Sequence, residues 1–184
     1  MTIANVLSGS RLVIAPLLLF AAWSGYTRLF LSSLVIALAT DAVDGWVSRR
    51  LNQTSELGTK LDSWGDLALC FCVPLGVWWL WPDLVRRESL FVMAVLASYT
   101  IPGLFGLIKY RRIPSYHTRI AKIAAVLMGP SALILFLGGP AWPFHLSTLV
   151  VIVEALEEIA MTALLPRWRS NVSGLAAALA IRSE

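Results

Sequence analysis

Long apolar runs, separated by short segments that contain Gly, Pro or charged residues, dominate the chain. Six such runs lie at 6–23, 29–40, 67–81, 90–108, 120–137 and 148–165. A helix that crosses the hydrocarbon core of a bilayer needs about 20 mostly apolar residues. The second and third runs reach that length if their helices continue to Arg50 and begin at Gly58. The pattern therefore predicts an all-α integral membrane protein with about six transmembrane helices.

The composition agrees with a membrane location. Of 184 residues, 58% are hydrophobic and only 14% are charged, which is too few to give a soluble domain a polar surface. We predict one membrane domain over 1–169 and a C-terminal cytoplasmic tail over 170–184. The net charge of +4 is attributed to orientation in the membrane and to anionic lipid headgroups. No nucleic-acid partner is expected, because no basic run carries interleaved exposed aromatic residues.

Basic residues concentrate on one side of the predicted helix bundle. If the N-terminus is cytoplasmic, the cytoplasmic segments contain Arg49, Arg50, Lys60, Lys109, Arg111, Arg112, Arg119, Arg167 and Arg169. The opposite side then contains Arg28, Arg86 and Arg87. Because Lys and Arg are enriched in cytoplasmic loops, we predict a multi-pass protein of the cell (cytoplasmic) membrane with both termini in the cytoplasm.

Four of the five aspartates lie close together, at the polar ends of two helices expected to be antiparallel neighbours. Asp41 and Asp44 are three residues apart, and Asp62 and Asp66 are four apart, so each pair shares one helix face. Without a cation these carboxylates would repel one another and be costly to desolvate near the membrane. Oxygen-only ligands favour Mg²⁺, Mn²⁺ or Ca²⁺, and protein-bound Mg²⁺ is often shared with substrate phosphates. The cluster predicts metal-assisted phosphoryl chemistry at the cytoplasmic end of the bundle.

The segment that holds these aspartates reads DAVDGWVSRRLNQTSELGTKLDSWGD over 41–66. It resembles the signature of the CDP-alcohol phosphatidyltransferase family, D-x-x-D-G-x-x-A-R, eight residues, G-x-x-x-D-x-x-x-D. All four Asp match in identity and spacing, as do Gly45, Arg49 and Gly58. The one departure is Ser48, which stands where the family usually has Ala.

The resemblance implies transfer of a phosphatidyl group from CDP-diacylglycerol to a small polar alcohol acceptor, with release of CMP. It implies two metal ions, Mg²⁺ or Mn²⁺, held by Asp41, Asp44, Asp62 and Asp66. Asp66 is also implied as the general base on the acceptor hydroxyl. The residues expected to bind CDP are Asp44, Gly45, Ser48, Arg49, Gly58 and Asp62. Membrane lipids and a second copy of the chain, in a homodimer, are the other partners that the resemblance implies.

The signature does not define the acceptor. Asn5, Ser8 and Arg11 recur at every third position of the first helix and resemble the N-x-x-T-x-x-R start of phosphatidylglycerophosphate synthase-like members. Arg11 then contacts a lipid or acceptor phosphate, or it snorkels to lipid headgroups. Further candidates for binding such a phosphate are Lys60, Arg119 and Lys122, although the preference for cytoplasmic cations explains most of these equally well. Glycerol 3-phosphate is the favoured acceptor; a cardiolipin, phosphatidylinositol-phosphate or other phospholipid synthase is the alternative.

Two other groups of polar residues interrupt the second half of the chain. Glu154, Glu157 and Glu158 lie inside the sixth apolar run, where buried acids normally find a partner. They are expected either to pair with Arg119 or Lys122, or to shape the acceptor pocket. His117 and His145 have no metal-ligand spacing and are expected to be ordinary loop residues.

Two functions outside this family also use membrane-embedded acids. A Mg²⁺-dependent prenyltransferase binds a diphosphate through Asp-rich helices, but it normally needs more spans and a different Asp spacing. A cation carrier or channel would need polar groups along the whole membrane thickness, whereas the outer halves of the predicted spans are almost wholly apolar.

Overall fold

Helices account for all the regular structure in the described part of the chain. The computed structural model describes residues 3–51, 56–111, 116, 118–168, 172 and 174–182, with side chains except at 3–8, 41–42, 44–51, 56–63, 66 and 180–182. The helices are α1 (Ile3–Trp23), α2 (Thr27–Leu51), α3 (Glu56–Leu80), α4 (Pro82–Arg87), α5 (Ser89–Tyr110), α6 (Arg119–Phe136), α7 (Trp142–Leu164) and α8 (Leu175–Arg182). They form two compact units, Met1–Arg87 and Glu88–Glu184.

The six long helices correspond to the six apolar runs, and the all-helical prediction is confirmed. The last long helix extends beyond its apolar run: the run begins at Thr148, whereas α7 begins at Trp142. The polar residues that interrupt the pattern there are satisfied within the helix. The Ser147 hydroxyl donates to the Pro143 carbonyl at 2.8 Å, and the Thr148 hydroxyl donates to the Phe144 carbonyl at 2.8 Å. The short helices α4 and α8 were not predicted.

In the first unit, α1 packs against both α2 and α3. Small residues on one face of α1, among them Ala15, Ala21 and Ala22, are buried and allow the helices to approach closely. At the other end of α3 from the aspartates, the ring of Phe30 in α2 lies directly over Gly76, where any Cβ would overlap it. The chain therefore uses a glycine to let α2 and α3 meet at this point.

In the second unit, α5 and α6 both pack against α7. Glu88, just before α5, accepts a 2.7 Å hydrogen bond from Nε2 of His145 in the first turn of α7. The ring of Phe91 stacks on the His145 ring, with centroids 3.8 Å apart. The expectation that His145 is an ordinary loop residue was wrong: it joins the beginnings of α5 and α7, which run in the same direction.

Two helices, α5 and α6, are long and apolar enough to cross a membrane, judged by length and composition in the described residues. Only 17% of the most apolar window of each is buried inside the protein. A core helix of a soluble protein would bury most of such a stretch, whereas a lipid-facing helix leaves it exposed. Shorter apolar helical stretches lie at Gly9–Trp23, Thr27–Thr40 and Leu67–Leu80. These features are consistent with a membrane protein.

Candidate active site

The four aspartates of the signature occupy helical positions. Asp41 and Asp44 lie in α2, and Asp62 and Asp66 lie in α3. Helical geometry at these spacings puts the two members of each pair on one face of their helix. Their side chains lie outside the described residues, as do those of Ser48, Arg49 and Lys60 and the surroundings of Gly45 and Gly58. The metal-binding, nucleotide-binding and general-base roles therefore remain predictions.

The donor chemistry of the aspartates fits a hard divalent cation. Two pairs of carboxylates supply only oxygen ligands, and Mg²⁺ and Mn²⁺ prefer oxygen. Elsewhere, among the side chains that the structure describes, no three or more His, Cys, Asp or Glu residues lie close enough together to hold a metal. The signature is thus the part of the chain whose residues suit the expected ions.

Arg11 is completely buried in the first unit, with 0% of its surface exposed. A snorkelling arginine keeps its guanidinium group at the aqueous interface, which is incompatible with this burial. Removing a guanidinium from water is costly unless anionic or hydrogen-bonding groups surround it. Burial therefore argues against snorkelling, and a contact between Arg11 and a lipid or acceptor phosphate remains a prediction. Asn5 and Ser8, the other members of its stripe, have side chains outside the described residues.

Lys109, one of the basic residues assigned to the cytoplasmic side, caps the end of α7. Its Nζ donates to the carbonyl oxygens of Thr162 at 2.8 Å, Ala163 at 2.9 Å and Leu165 at 2.9 Å. These carbonyls lie at the helix C-terminus, where no intrahelical partner is available and where a cation is favourable. All three Nζ donors are used, so Lys109 is not free to bind a phosphate.

Two tyrosines extend this cap. The Tyr110 hydroxyl lies 2.7 Å from the carbonyl oxygens of both Thr162 and Leu165, which share its single hydrogen. The Thr162 hydroxyl donates to the hydroxyl oxygen of buried Tyr116 at 3.2 Å. Sequence reasoning missed both tyrosines, because their partners lie far away along the chain and no spacing rule links them.

Arg119 and Lys122 lie on the first turn of α6. The turn is capped by Thr118, whose side chain accepts a hydrogen bond from the Ala121 amide at 3.0 Å. Both cations are exposed, and in the described part of the chain no acidic side chain forms an ion pair with either. Cations at a helix N-terminus gain nothing from the helix dipole, so an anion bound between them would be favourable.

The acids of α7 do not neutralise these cations. Glu157 Oε1 instead accepts a 3.3 Å hydrogen bond from the Leu175 amide at the start of α8. In the described residues neither Glu154 nor Glu158 forms an ion pair with the basic residues of α6. Of the two roles considered for these acids, pairing with Arg119 or Lys122 is not seen in the described residues, where Glu157 is directed towards the segment that follows α7. His117 lies outside the described residues.

Comparisons with known proteins identify the family. The sequence model of one protein family, described as CDP-alcohol phosphatidyltransferase, matches residues 1–164 of this chain. The match includes all of the aspartate signature and ends where α7 ends. No solved structure gives a significant match.

Several curated proteins are similar to part of the chain. A CDP-diacylglycerol–glycerol-3-phosphate 3-phosphatidyltransferase of Aquifex aeolicus is 38% identical over 74 residues, which is 39% of this chain and 40% of that protein. A cardiolipin synthase (CMP-forming)/mitochondrial hydrolase fusion protein of Schizosaccharomyces pombe is 35% identical over 40% of this chain and 12% of its own length. A putative cardiolipin synthase of Mycobacterium tuberculosis is 32% identical over 49% of this chain and 47% of its own length.

The matched part of the chain thus spans less than half the length of each of these relatives. The family model, in contrast, covers most of this chain, and the complete signature lies within it. The family and enzyme class expected from residues 41–66 are confirmed, and the chain is a member of the CDP-alcohol phosphatidyltransferase family.

Proposed function

We propose that the protein transfers a phosphatidyl group from CDP-diacylglycerol to an alcohol acceptor and releases CMP. The observation that carries this proposal is the family match over residues 1–164, with every Asp, Gly and Arg of the signature present. The same match argues against a prenyltransferase or a cation carrier. The aspartates occupy helical positions in α2 and α3, which supports their acting as two paired sets of ligands.

Asp41, Asp44, Asp62 and Asp66 would hold two Mg²⁺ or Mn²⁺ ions. When bound, such ions polarise the diphosphate and stabilise the departing CMP. Gly45 and Gly58 carry no side chain, which would let CDP approach the backbone, and Arg49 would pair with its phosphate. Asp44, Ser48 and Asp62 complete the proposed nucleotide site.

In this reaction Asp66 accepts the proton of the acceptor hydroxyl as the acceptor oxygen attacks the phosphatidyl phosphorus. The new bond joins that oxygen to phosphorus, and the bond from phosphorus to the bridging oxygen of CMP breaks, so CMP leaves with the electron pair. Holding donor and acceptor in line contributes to the rate because the reacting groups no longer have to meet by diffusion.

Glycerol 3-phosphate is the proposed acceptor. The relative in Aquifex aeolicus carries glycerol 3-phosphate in its name. The exposed cations Arg119 and Lys122, which form no ion pair in the described part of the second unit, are suited to a phosphate. Buried Arg11 is a further candidate for a lipid or acceptor phosphate, as is Lys60.

Cardiolipin synthesis is the second candidate function, because relatives in Schizosaccharomyces pombe and Mycobacterium tuberculosis are named as cardiolipin synthases. The acceptor would then be phosphatidylglycerol, whose phosphate is a diester within a lipid. Both functions share the donor, the released nucleotide and the aspartate signature. They differ in whether the acceptor arrives from water or from the bilayer.

We further propose a multi-pass location in the cytoplasmic membrane, with both termini in the cytoplasm and a homodimeric state. The distribution of Lys and Arg along the sequence supports the orientation. The long, outward-facing apolar surfaces of α5 and α6 support the membrane location.

The test is an acceptor panel on the purified full-length chain in lipid nanodiscs. CDP-diacylglycerol is supplied with Mg²⁺ or Mn²⁺ and with glycerol 3-phosphate, phosphatidylglycerol or inositol phosphate, and both CMP and the lipid product are measured. We expect CMP release with glycerol 3-phosphate and none in the presence of excess EDTA. Release with phosphatidylglycerol alone would assign cardiolipin synthesis, and absence of CMP with every acceptor would refute the proposed activity.

A further inference from the structure

The chain after α7 turns back and packs against the end of that helix. We call residues 172 and 174–182, which include α8, the return segment; it lies beyond the part matched by the family model. Val172 and Ala178 of this segment are buried in a cluster with Tyr116, Met161 and Leu165. The cluster joins three separate parts of the second unit: the approach to α6, the last turn of α7 and the return segment.

A second contact fixes the direction of the return segment. Glu157 Oε1 accepts a 3.3 Å hydrogen bond from the Leu175 amide, the first amide of α8. Gly174, immediately before it, has φ +154°, a conformation that residues with a side chain rarely adopt. A Cβ at Gly174 would also lie 3.2 Å from Glu157 Oε1. The turn into α8 therefore depends on glycine at this position.

Tyr116 links this packing to the beginning of α6. It lies two residues before Thr118, the residue that caps α6. Its ring is buried against the return segment, and its hydroxyl accepts the hydrogen bond from Thr162. The chain that enters α6 is thus held from two sides, by the last turn of α7 and by the return segment.

We propose that the return segment is a positioning element of the acceptor site. By packing on Tyr116 it fixes the first turn of α6, so that Arg119 and Lys122 are presented together to an anionic group of the acceptor. This role rests on the proposed function, in which these two cations bind the acceptor phosphate. Ordering the turn before the acceptor arrives removes an entropic cost from binding. Loss of the packing should therefore weaken acceptor binding more than it slows the chemical step.

The test compares Gly174→Val with Ala176→Val, a matched control two residues away on the exposed surface of α8. We expect Gly174→Val to raise the KM for the acceptor about fivefold or more, because the acceptor would then bind to a less ordered first turn of α6. The kcat and the KM for CDP-diacylglycerol should stay within about twofold of wild type, because the interaction affects acceptor binding. Hydrogen exchange of the amides at 119–123 should become faster in Gly174→Val and not in Ala176→Val.

Val172→Ala provides a second test if the Gly174 variant does not fold. It removes two methyl groups of the return segment that are buried in the cluster with Tyr116, and it should change the acceptor KM and the amide exchange in the same direction. Unchanged exchange and unchanged acceptor KM in the folded variants would overturn the positioning role.

Lys122→Gln, measured in parallel with the same acceptor, separates this inference from the proposed acceptor site. If Lys122→Gln raises the acceptor KM while Gly174→Val and Val172→Ala leave it unchanged, the acceptor site stands and the positioning role fails. If neither Lys122→Gln nor Arg119→Gln affects the acceptor KM, the proposed acceptor site fails and the positioning role fails with it. Release of CMP by the wild-type protein with the same acceptor shows whether the proposed transferase activity is present, independently of the effects of these variants.

Discussion

The ammonium group of Lys109 lies 2.8 Å from the carbonyl oxygen of Thr162, so the last turn of α5 supplies the cap of α7. Helix-terminal carbonyls have no partner within their own helix, and a cation beside them is favourable. Lys109 provides three donors for this purpose, and Tyr110 adds a fourth. The sequence alone explains Lys109 by the excess of basic residues on the predicted cytoplasmic side, whereas in the structure Lys109 caps a helix.

Replacing Lys109 with Met should destabilise the protein. The variant keeps an unbranched side chain but removes the ammonium donor from three carbonyl oxygens, of which those of Thr162 and Leu165 keep the Tyr110 hydroxyl. We expect a loss of about 1 kcal/mol in the free energy of unfolding. Thermal unfolding in detergent measures the effect. Arg111→Met, two residues further on at an exposed position, is the control and should unfold as wild type does. Equal stability of the two variants would contradict the cap.

The hydrogen bond between Glu88 and His145 should contribute measurably to stability, because Glu88 is buried and the ring is also held by Phe91. A double-mutant cycle with Glu88→Gln and His145→Gln should give a coupling of about 1 to 2 kcal/mol. The chain contains a matched control in Asp83 and Arg86, an ion pair at 3.5 Å whose side chains are 95% and 72% exposed. Its cycle should show no coupling. Similar coupling energies in the two pairs would show that the Glu88–His145 hydrogen bond contributes no more to stability than the exposed ion pair.

Gly76→Ala should destabilise the first unit, since the new Cβ would overlap the Phe30 ring and would lie 3.2 Å from Ala22. Overpacking of this kind costs about 1 to 3 kcal/mol. Gly103→Ala is the control, because a Cβ there meets no atom within 4 Å and alanine favours the helix. Thermal unfolding should rank the proteins with Gly76→Ala least stable. A Gly76→Ala variant as stable as Gly103→Ala would show that Phe30 can move aside.

Asp66→Asn should abolish transfer while leaving the fold intact. The amide retains the shape of the carboxylate but does not accept the acceptor proton, so CMP release should fall by roughly three orders of magnitude or more. Size-exclusion behaviour and thermal unfolding report on the fold. Asp83→Asn, outside the signature, is the control and should retain full activity. Turnover of Asp66→Asn near the wild-type rate would eliminate Asp66 as the base.

The long helices could be predicted because membrane-like helices are continuous apolar runs of nearly fixed length. The start of α7 could not be predicted from the same pattern, because Ser147 and Thr148 interrupt it with polar side chains. In the structure their hydroxyls donate to carbonyls one turn earlier in the helix. The short α8 was also missed. Its stability comes from Ala178 packing against residues distant in sequence, and local composition does not contain that information.

The aspartate signature could be read from the sequence because its spacing is local, within two neighbouring helices. The contacts around the acceptor candidates could not. Lys109 and Lys122 look equivalent as cytoplasmic cations, yet Lys109 donates to the carbonyls at a helix end and Lys122 makes no such bond in the described part of the chain. Likewise, Glu157 could be recognised as an acid needing a partner, but that partner is a backbone amide of the return segment.

Hydrogen bonds join α5 to α7 at both ends, between Glu88 and His145 at one end and between Lys109 and Thr162 at the other. Sliding one helix along the other by a single turn, about 5.4 Å, would break the hydrogen bonds at both ends. We therefore expect these two parallel helices to keep the same register relative to each other during turnover. Movement that admits a substrate or releases a product in this unit would then not involve sliding of α5 along α7.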